Sequence, residues 1–283
     1  MVTSLPATAI LGAGSMGGAI LSGLLSPDVV VDGGIRVTNR TEAKASALRK
    51  SDVSSFATET DPAANASAVV GAKIVLIGVK PHMVVDLLRE VSPALEPGTI
   101  VVSVAAGITI AAMEEALPDS VSVLRAMPNT PSVVGLGVTG LAAGTRSSDD
   151  DLAAARAVFA AVGDVVVVPE DKIDALSTIS GSGPAYVFYL IEQMQEAAVA
   201  LGFTRAQAAT MVQGTFRGAS ELLAASDLLP KDAAPTELRR RVTSPNGTTE
   251  RAVAELEAAG LSGVFDRAAA AALARAREIA AGS

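Results

Sequence analysis

"TAILGAGSMGGAILSGLL", residues 8–25, is the stretch that decides the fold. Its first four residues read as a buried strand, and from Met16 to Leu25 the apolar residues take helical spacing. Between them lies Gly12-Ala13-Gly14-Ser15-Met16-Gly17, the pattern G-x-G-x-x-G. In a strand–turn–helix unit each glycine has its own duty. Gly12 permits the tight turn, Gly14 lets a pyrophosphate approach the backbone, and Gly17 lets helix and strand touch. The helix start adds unpaired N–H groups and the positive end of its dipole. A glycine-rich turn in an ordinary α/β domain is the plainer reading; the context on both sides favours dinucleotide binding.

Outward from this unit the alternation continues. "IRVTNR" (35–40) reads as a strand and "TEAKASALRK" (41–50) as a solvated helix opened by Thr41. "KIVLIGVKP" (73–81), "TIVVSVAAG" (99–107) and "VSVLRAMPNTP" (121–131) supply further strands, with the amphipathic "HMVVDLLREV" (82–91) between the first two. Such βαβ order implies an α/β fold with a doubly wound, mostly parallel sheet, its binding loops at the carboxyl ends of the strands. After "DVVVVPE" (164–170) the pattern is helical to the end, broken at Gly202, Pro230, Pro235, Pro245 and Gly260. The expected organisation is a cofactor domain over residues 1–166 and an all-helical domain over 167–283. Helices so rich in alanine pack closely and bury little alone, so dimerisation through this second half is expected.

Composition removes several classes of chemistry. The chain of 283 residues has no cysteine and one histidine, His82, which excludes thiol nucleophiles and Cys/His metal sites. No bound metal is expected. A net charge of −8, without a basic stripe beyond Arg239, Arg240 and Arg241, argues against nucleic acid. The opening residues lack the features of a signal peptide and the apolar runs are too short to span a membrane, so a cytoplasmic protein is expected. Chemistry here requires a borrowed cofactor.

The end of the "VTNR" strand selects between cofactors. An NAD site usually places Asp or Glu there; this chain has Asn39 and Arg40, and a guanidinium suits a 2′-phosphate. NADPH is favoured and NADH stays open. The alternative is that Arg40 is a surface arginine paired with Glu42. Lys80 follows a strand beside the crevice, with Pro81 fitted to the first turn of the next helix. Lys80 is read as positional, a catalytic role being the alternative. "RAMPNTP" (125–131) is either a rigid turn or a wall of the nicotinamide pocket. In "ISGSGPAYVF" (179–188), Ser182 or Gly183 would cap a helix that has Pro184 at its first position, and Gly181 and Gly183 suggest close approach by something else. "VTSPNGTT" (242–249) is either a helix start capped by Ser244 or a socket where N–H groups and hydroxyls meet a carboxylate.

Taken in order, "GAGSMG", "VKPH", "RAMPNTP", "SGSGPAY" and "TSPNGTT" resemble the pyrroline-5-carboxylate reductase family across essentially the whole chain. The resemblance implies a Rossmann-like N-terminal domain and an all-helical C-terminal dimerisation domain, with homodimers that often assemble into decamers. It implies reduction of the C=N bond of 1-pyrroline-5-carboxylate by NAD(P)H to give L-proline, the last step of proline biosynthesis. By position, Ser244, Gly247 and Thr248 would hold the substrate carboxylate, Thr249 would set its hydroxyl at the ring nitrogen, and Glu170 would lie near the substrate. Leu11, Gly12, Ala13, Gly14, Ser15, Met16, Asn39, Arg40, Asn65, Val79, Lys80, Pro81 and Ala105 would line the cofactor. Asn65 looks otherwise like routine helix-start chemistry. The family usually has Gly-Gly where this chain has Asn246-Gly247, and Asn tolerates the left-handed backbone needed there. Two alternatives remain: a β-hydroxyacid or 6-phosphogluconate-type dehydrogenase, for which Lys172 and Lys231 are poorly placed as the base, and a non-catalytic NADP-binding regulatory protein.

Overall fold

The computed structural model describes residues 2–225 and 234–280. Pro230 and Lys231 lie outside the described residues. Two compact units form: one runs up to Ser182 and is rejoined by the chain from Ala272, and the other is Gly183–Ala271.

The first unit holds strands β1 (Thr3–Leu5), β2 (Thr8–Leu11), β3 (Val29–Val31), β4 (Ile35–Asn39), β5 (Val53–Ala57), β6 (Ile74–Ile77), β7 (Ile100–Ser103), β8 (Ser122–Met127), β9 (Gly137–Ala143) and β10 (Gly163–Val167). Between them run helices α1 (Ser15–Leu24), α2 (Glu42–Leu48), α3 (Ala64–Val69), α4 (Val84–Val91), α5 (Ile110–Glu114) and α6 (Asp149–Ala160), and α7 (Ile173–Leu176) follows the last strand. The main sheet has the order β10-β9-β8-β7-β6-β2-β4-β5, and every pairing from β5 to β8 is parallel. The chain leaves β2 for β4 and β5 on one side and returns to β6, β7 and β8 on the other, the doubly wound order with its switch point at β2. β9 then reverses direction against β8, and β10 runs parallel to β9. β1 and β3 pair separately.

Both faces of this sheet are covered, which is why β2, β6 and β7 are buried at every position and mostly apolar, with Thr8 and Ser103 the buried exceptions. Ala9, Leu11, Val75, Ile77 and Val101 enter one core; Ile10, Leu76, Val102 and Leu124 enter the other, with Phe159 of α6. Each of the Val, Leu, Ile and Phe side chains among them contributes about 1.5–3 kcal/mol on full burial. The first unit continues beyond residue 166, because Ile173 and Thr178 are buried within it.

α7 does not end before the "SGSG" segment. Ser177–Gly181 is a π-helical turn, closed by the Ser182 N–H donating to the Ser177 carbonyl at 2.9 Å. Helical backbone therefore runs on through Ser182 into α8 (Gly183–Ala200), which carries Pro184 in its first turn. Gly181 is explained within the chain: a Cβ there would lie 2.7 Å from Ser177 Oγ.

The second unit is helical: α8, α9 (Arg205–Ala224), α10 (Ala234–Arg241), α11 (Thr248–Ala258) and the start of α12 (Leu261–Ala280). Its breaks fall at Gly202 and Gly260, both with positive φ, and at Pro245; Pro235 instead sits in the first turn of α10. Among its described residues only Ala198, Ala208, Val212 and Ala234 are buried hydrophobics, while Phe188, Tyr189, Leu222 and Leu256 are more than half exposed. No described helix is long and apolar enough to cross a membrane.

Candidate active site

The glycine turn is fixed from both sides. Gly12 and Ala13 N–H donate to the Thr38 carbonyl of β4 at 3.1 and 3.0 Å, and Gly78 N–H after β6 donates to Leu11 O at 2.8 Å. Gly12 has φ 88, and a Cβ on it would lie 2.8 Å from Val79 Cγ1. A Cβ on Gly17 would lie 2.8 Å from the Gly12 carbonyl. A Cβ on Gly14 would meet nothing within 4 Å. Gly12 and Gly17 thus serve the fold, whereas Gly14 faces open space. α1 starts there with no side-chain cap, and its first internal bond is Gly18 N–H to Gly14 O at 2.8 Å. Gly14 N–H is itself taken by the Gly12 carbonyl at 2.8 Å, so the N–H groups at the open helix start are those of Ser15, Met16 and Gly17.

Beside this turn lies a cavity of about 380 Å³ lined by Gly12, Asn39, Arg40, Asn65, Val79 and His82, among others. Asn39 is 5% exposed, and its Nδ2 is buried without a hydrogen-bond partner. A buried donor left so costs about 1–3 kcal/mol, which a bound ribose or phosphate oxygen would relieve. Arg40 is exposed and makes no ion pair among the described residues, because Glu42 is taken by Arg49 (2.5 and 3.1 Å). These residues fit a phosphorylated dinucleotide: N–H groups for pyrophosphate, a spare amide, and a free guanidinium at the end of β4.

Other expected positions are met differently. Leu11 is fully buried and its carbonyl accepts from Gly78 N–H; Ala13 and Ala105 are also buried, while Ser15 is exposed and Met16 half-buried. After β7 it is Ala106 and Gly107 that line a second cavity, of about 320 Å³, with Met127, Ser177, Thr178 and Ser182. Lys80 is exposed and precedes a one-turn 3-10 helix with Pro81 at its first position, as the sequence suggests. Asn65 does not serve its helix start: Asp61 accepts from Ala63 N–H at 2.9 Å, while Asn65 Nδ2 donates to Glu90 at 3.1 Å. Thr58 and Met83, on the first cavity's wall, carry no sequence signal that marks them.

In the second unit the "VTSPNGTT" segment forms a turn and then a helix. Gly247 N–H donates to Ser244 O at 3.0 Å, with Pro245 and Asn246 between. Asn246 has φ 58, so Pro at the second place and a left-handed third make a type II turn. α11 therefore begins at Thr248, with Gly247 and not Ser244 as its cap residue and no side-chain cap bond. Glu250 reaches back to Asn246 N–H at 2.8 Å, and Arg251 N–H makes the first internal bond, to Gly247 O at 3.4 Å. The N–H groups of Thr248, Thr249 and Glu250 precede that bond and converge at the dipole's positive end. Arg241 lies outside this cluster, donating to Glu237 at 2.8 Å. Arg240 and then Arg241 hold the Glu237 carboxyl down at about 2.

Glu170 belongs to the first unit, where it accepts from Ile110 N–H at 2.7 Å and faces Arg125 at 3.6 Å. Lys172, in the same one-turn helix, is exposed.

Known proteins match this arrangement along its length. A family model described as "Pyrroline-5-carboxylate reductase dimerisation" matches residues 170–279, and one described as "NADP oxidoreductase coenzyme F420-dependent" matches 7–107. The pyrroline-5-carboxylate reductase of Corynebacterium melassecola is 39% identical over 96% of this chain and 97% of its own. That of Pseudomonas aeruginosa is 35% identical over 98% of both. The chain belongs to the pyrroline-5-carboxylate reductase family. A solved reductase from Coxiella burnetii, 35% identical, superposes with a TM-score of 0.86 over 96% of this chain and 97% of that one. At 23% identity and a TM-score of 0.77, the Plasmodium falciparum pyrroline carboxylate reductase, solved with NADP bound, shares the fold. Membership makes this chain an NAD(P)H-dependent oxidoreductase, consistent with a fingerprint whose central glycine faces open space.

Proposed function

We propose that the protein reduces the C=N bond of 1-pyrroline-5-carboxylate to L-proline, with NADPH as its preferred donor. The observation that carries this reading is family membership over nearly the whole chain, both halves included. Bound cofactor supplies the hydride. Gly14 and the N-terminus of α1 hold its pyrophosphate, and Asn39 and Arg40 hold the adenosine ribose with its 2′-phosphate. In the other unit, Ser244, Gly247 and Thr248 grip the substrate carboxylate through the N-terminus of α11, and the Thr249 hydroxyl lies at the ring nitrogen. A protonated imine is already electrophilic, so the protein's work is to orient and to exclude water rather than to supply strong acid. The test is purified protein with 1-pyrroline-5-carboxylate, following NADPH and NADH oxidation separately. No turnover with either donor would sink the reading.

Arg40→Ala should weaken NADPH binding roughly 10- to 100-fold, matching the ~1.5–3 kcal/mol of a charged hydrogen bond, and leave NADH nearly unchanged. Titrating each cofactor by fluorescence checks this; equal losses would remove Arg40 from the 2′-phosphate.

The helical unit works as a homodimer. Phe188 and Tyr189 are 62% and 61% exposed on α8, and covering each ring in a partner contributes about 1.5–3 kcal/mol. Phe188→Glu should move the protein toward monomer in analytical ultracentrifugation at micromolar concentration; an unchanged dimer would place the interface elsewhere.

A further inference from the structure

The strand order gives the cofactor a direction. Arg40 follows β4, the glycine turn follows β2, Val79 follows β6 and Ala105 follows β7, and these strands are neighbours in that order. With the 2′-phosphate held at β4 and the pyrophosphate at β2, a bound cofactor would point its nicotinamide toward β7 and β8. The second cavity opens on that side, and Ser177 and Thr178 of the π-helical segment, with Ser182 just after it, form part of its wall beside Gly107 and Met127.

A π turn is wider than an α turn and is rarely kept without a reason. Two side chains, one on β8 and one just after it, hold this stretch of chain, the first through α7 and the second at the π turn. Arg125, 4% exposed, donates to Asp174 in α7 at 2.6 Å. Asn129, 7% exposed, donates from Nδ2 to the Ser180 carbonyl at 2.8 Å. Its Oδ1 accepts from Val138 N–H at 2.8 Å, which fixes the amide's orientation against β9. Asn129 is thus satisfied on both sides, and its one bond to the helical segment reaches the π turn itself.

We infer that Asn129 is a positioning residue for hydride transfer, holding the π segment Ser177–Gly181 as a wall of the nicotinamide end of the site. It touches neither substrate nor cofactor; it acts through the backbone at Ser180. The inference rests on the proposed reductase reaction. Displacing a wall of a reacting pair by about 1 Å costs on the order of 10²-fold in rate.

Asn129→Asp keeps the acceptor for Val138 and replaces the donor facing Ser180 O with an oxygen; Asn129→Ala removes both and introduces no charge. The measurement is single-turnover NADPH oxidation by stopped flow with saturating 1-pyrroline-5-carboxylate, alongside NADPH titration. For both variants the rate constant should fall 10- to 100-fold while the amplitude stays that of wild type and the NADPH Kd stays within twofold. A wild-type rate constant in either variant, or a smaller amplitude at a wild-type rate, would overturn the inference, the second because it reports lost folded protein and no mispositioning. Wild-type protein without turnover would instead bring down the reductase reading, and this inference with it.

Discussion

Gly14→Val is expected to abolish NADPH binding, raising Kd by more than about 100-fold, while leaving the thermal midpoint within a few degrees of wild type. A Cβ at Gly14 meets no protein atom within 4 Å, and its φ of −74 is open to any residue. The fold does not need a glycine there; a pyrophosphate resting on the backbone does. The loss combines blocked access to the N–H groups of α1 with steric exclusion of a doubly charged ligand, so it exceeds that of one hydrogen bond. Gly17→Val makes the contrast. Its Cβ would sit 2.8 Å from the Gly12 carbonyl and 3.2 Å from Ile10 Cγ2, so overpacking of about 1–3 kcal/mol should lower the midpoint visibly. Thermal denaturation with and without NADPH reads both variants. A Gly14→Val protein that is still stabilised by NADPH would show that the pyrophosphate lies elsewhere.

Thr249→Ala should lower kcat by roughly 10²-fold, the range found for losing one oriented donor or acid–base group. KM for the pyrroline should change little. The physical reason lies in the position of Thr249 in the first turn of α11. Alanine leaves the N–H groups of residues 248–250 and the helix dipole intact, so the carboxylate grip survives; only the hydroxyl is lost. Alanine is also the better helix former, so stability should not fall. Thr249→Ser restores the hydroxyl and should recover most of the rate. Steady-state kinetics with NADPH decide the matter: a raised KM at unchanged kcat would make Thr249 a binding residue with no part in the chemical step.

The glycine fingerprint was legible because its requirements are local. One positive φ at Gly12 and one close approach at Gly17 demand glycine at fixed offsets from a strand and a helix. The "VTSPNGTT" socket was legible only as a choice between two readings. Pro245 and Asn246 are both turn residues, and the turn's hydrogen bond from Gly247 to Ser244 moved the helix start to Thr248. Arg40 shows the limit from the other side. Glu42, two residues on, was its obvious partner in sequence, yet Arg49 occupies Glu42 from seven residues away. β5 and β9 were missed for a related reason. "VSSFA" has two adjacent serines that break the alternation and "GVTGLAA" is glycine- and alanine-rich, so neither carries a strong strand pattern. β9 becomes a strand because β8 and β10 pair with it, and Gly140 leaves room for Leu176 to press on it.

Residue order alone determined the cofactor fingerprint, the alternation that yields a doubly wound sheet, the change to helices near residue 167, and the turn pair Asn246-Gly247. Each follows from backbone sterics or from periodicity within a dozen residues. The tertiary structure decided where the first unit ends, that α7 passes through a π turn into α8, and that Asn129 binds Ser180 across 51 residues of chain. Those outcomes depend on which distant groups meet in a closed core, where a buried polar atom must find a partner, and no local propensity encodes that partner.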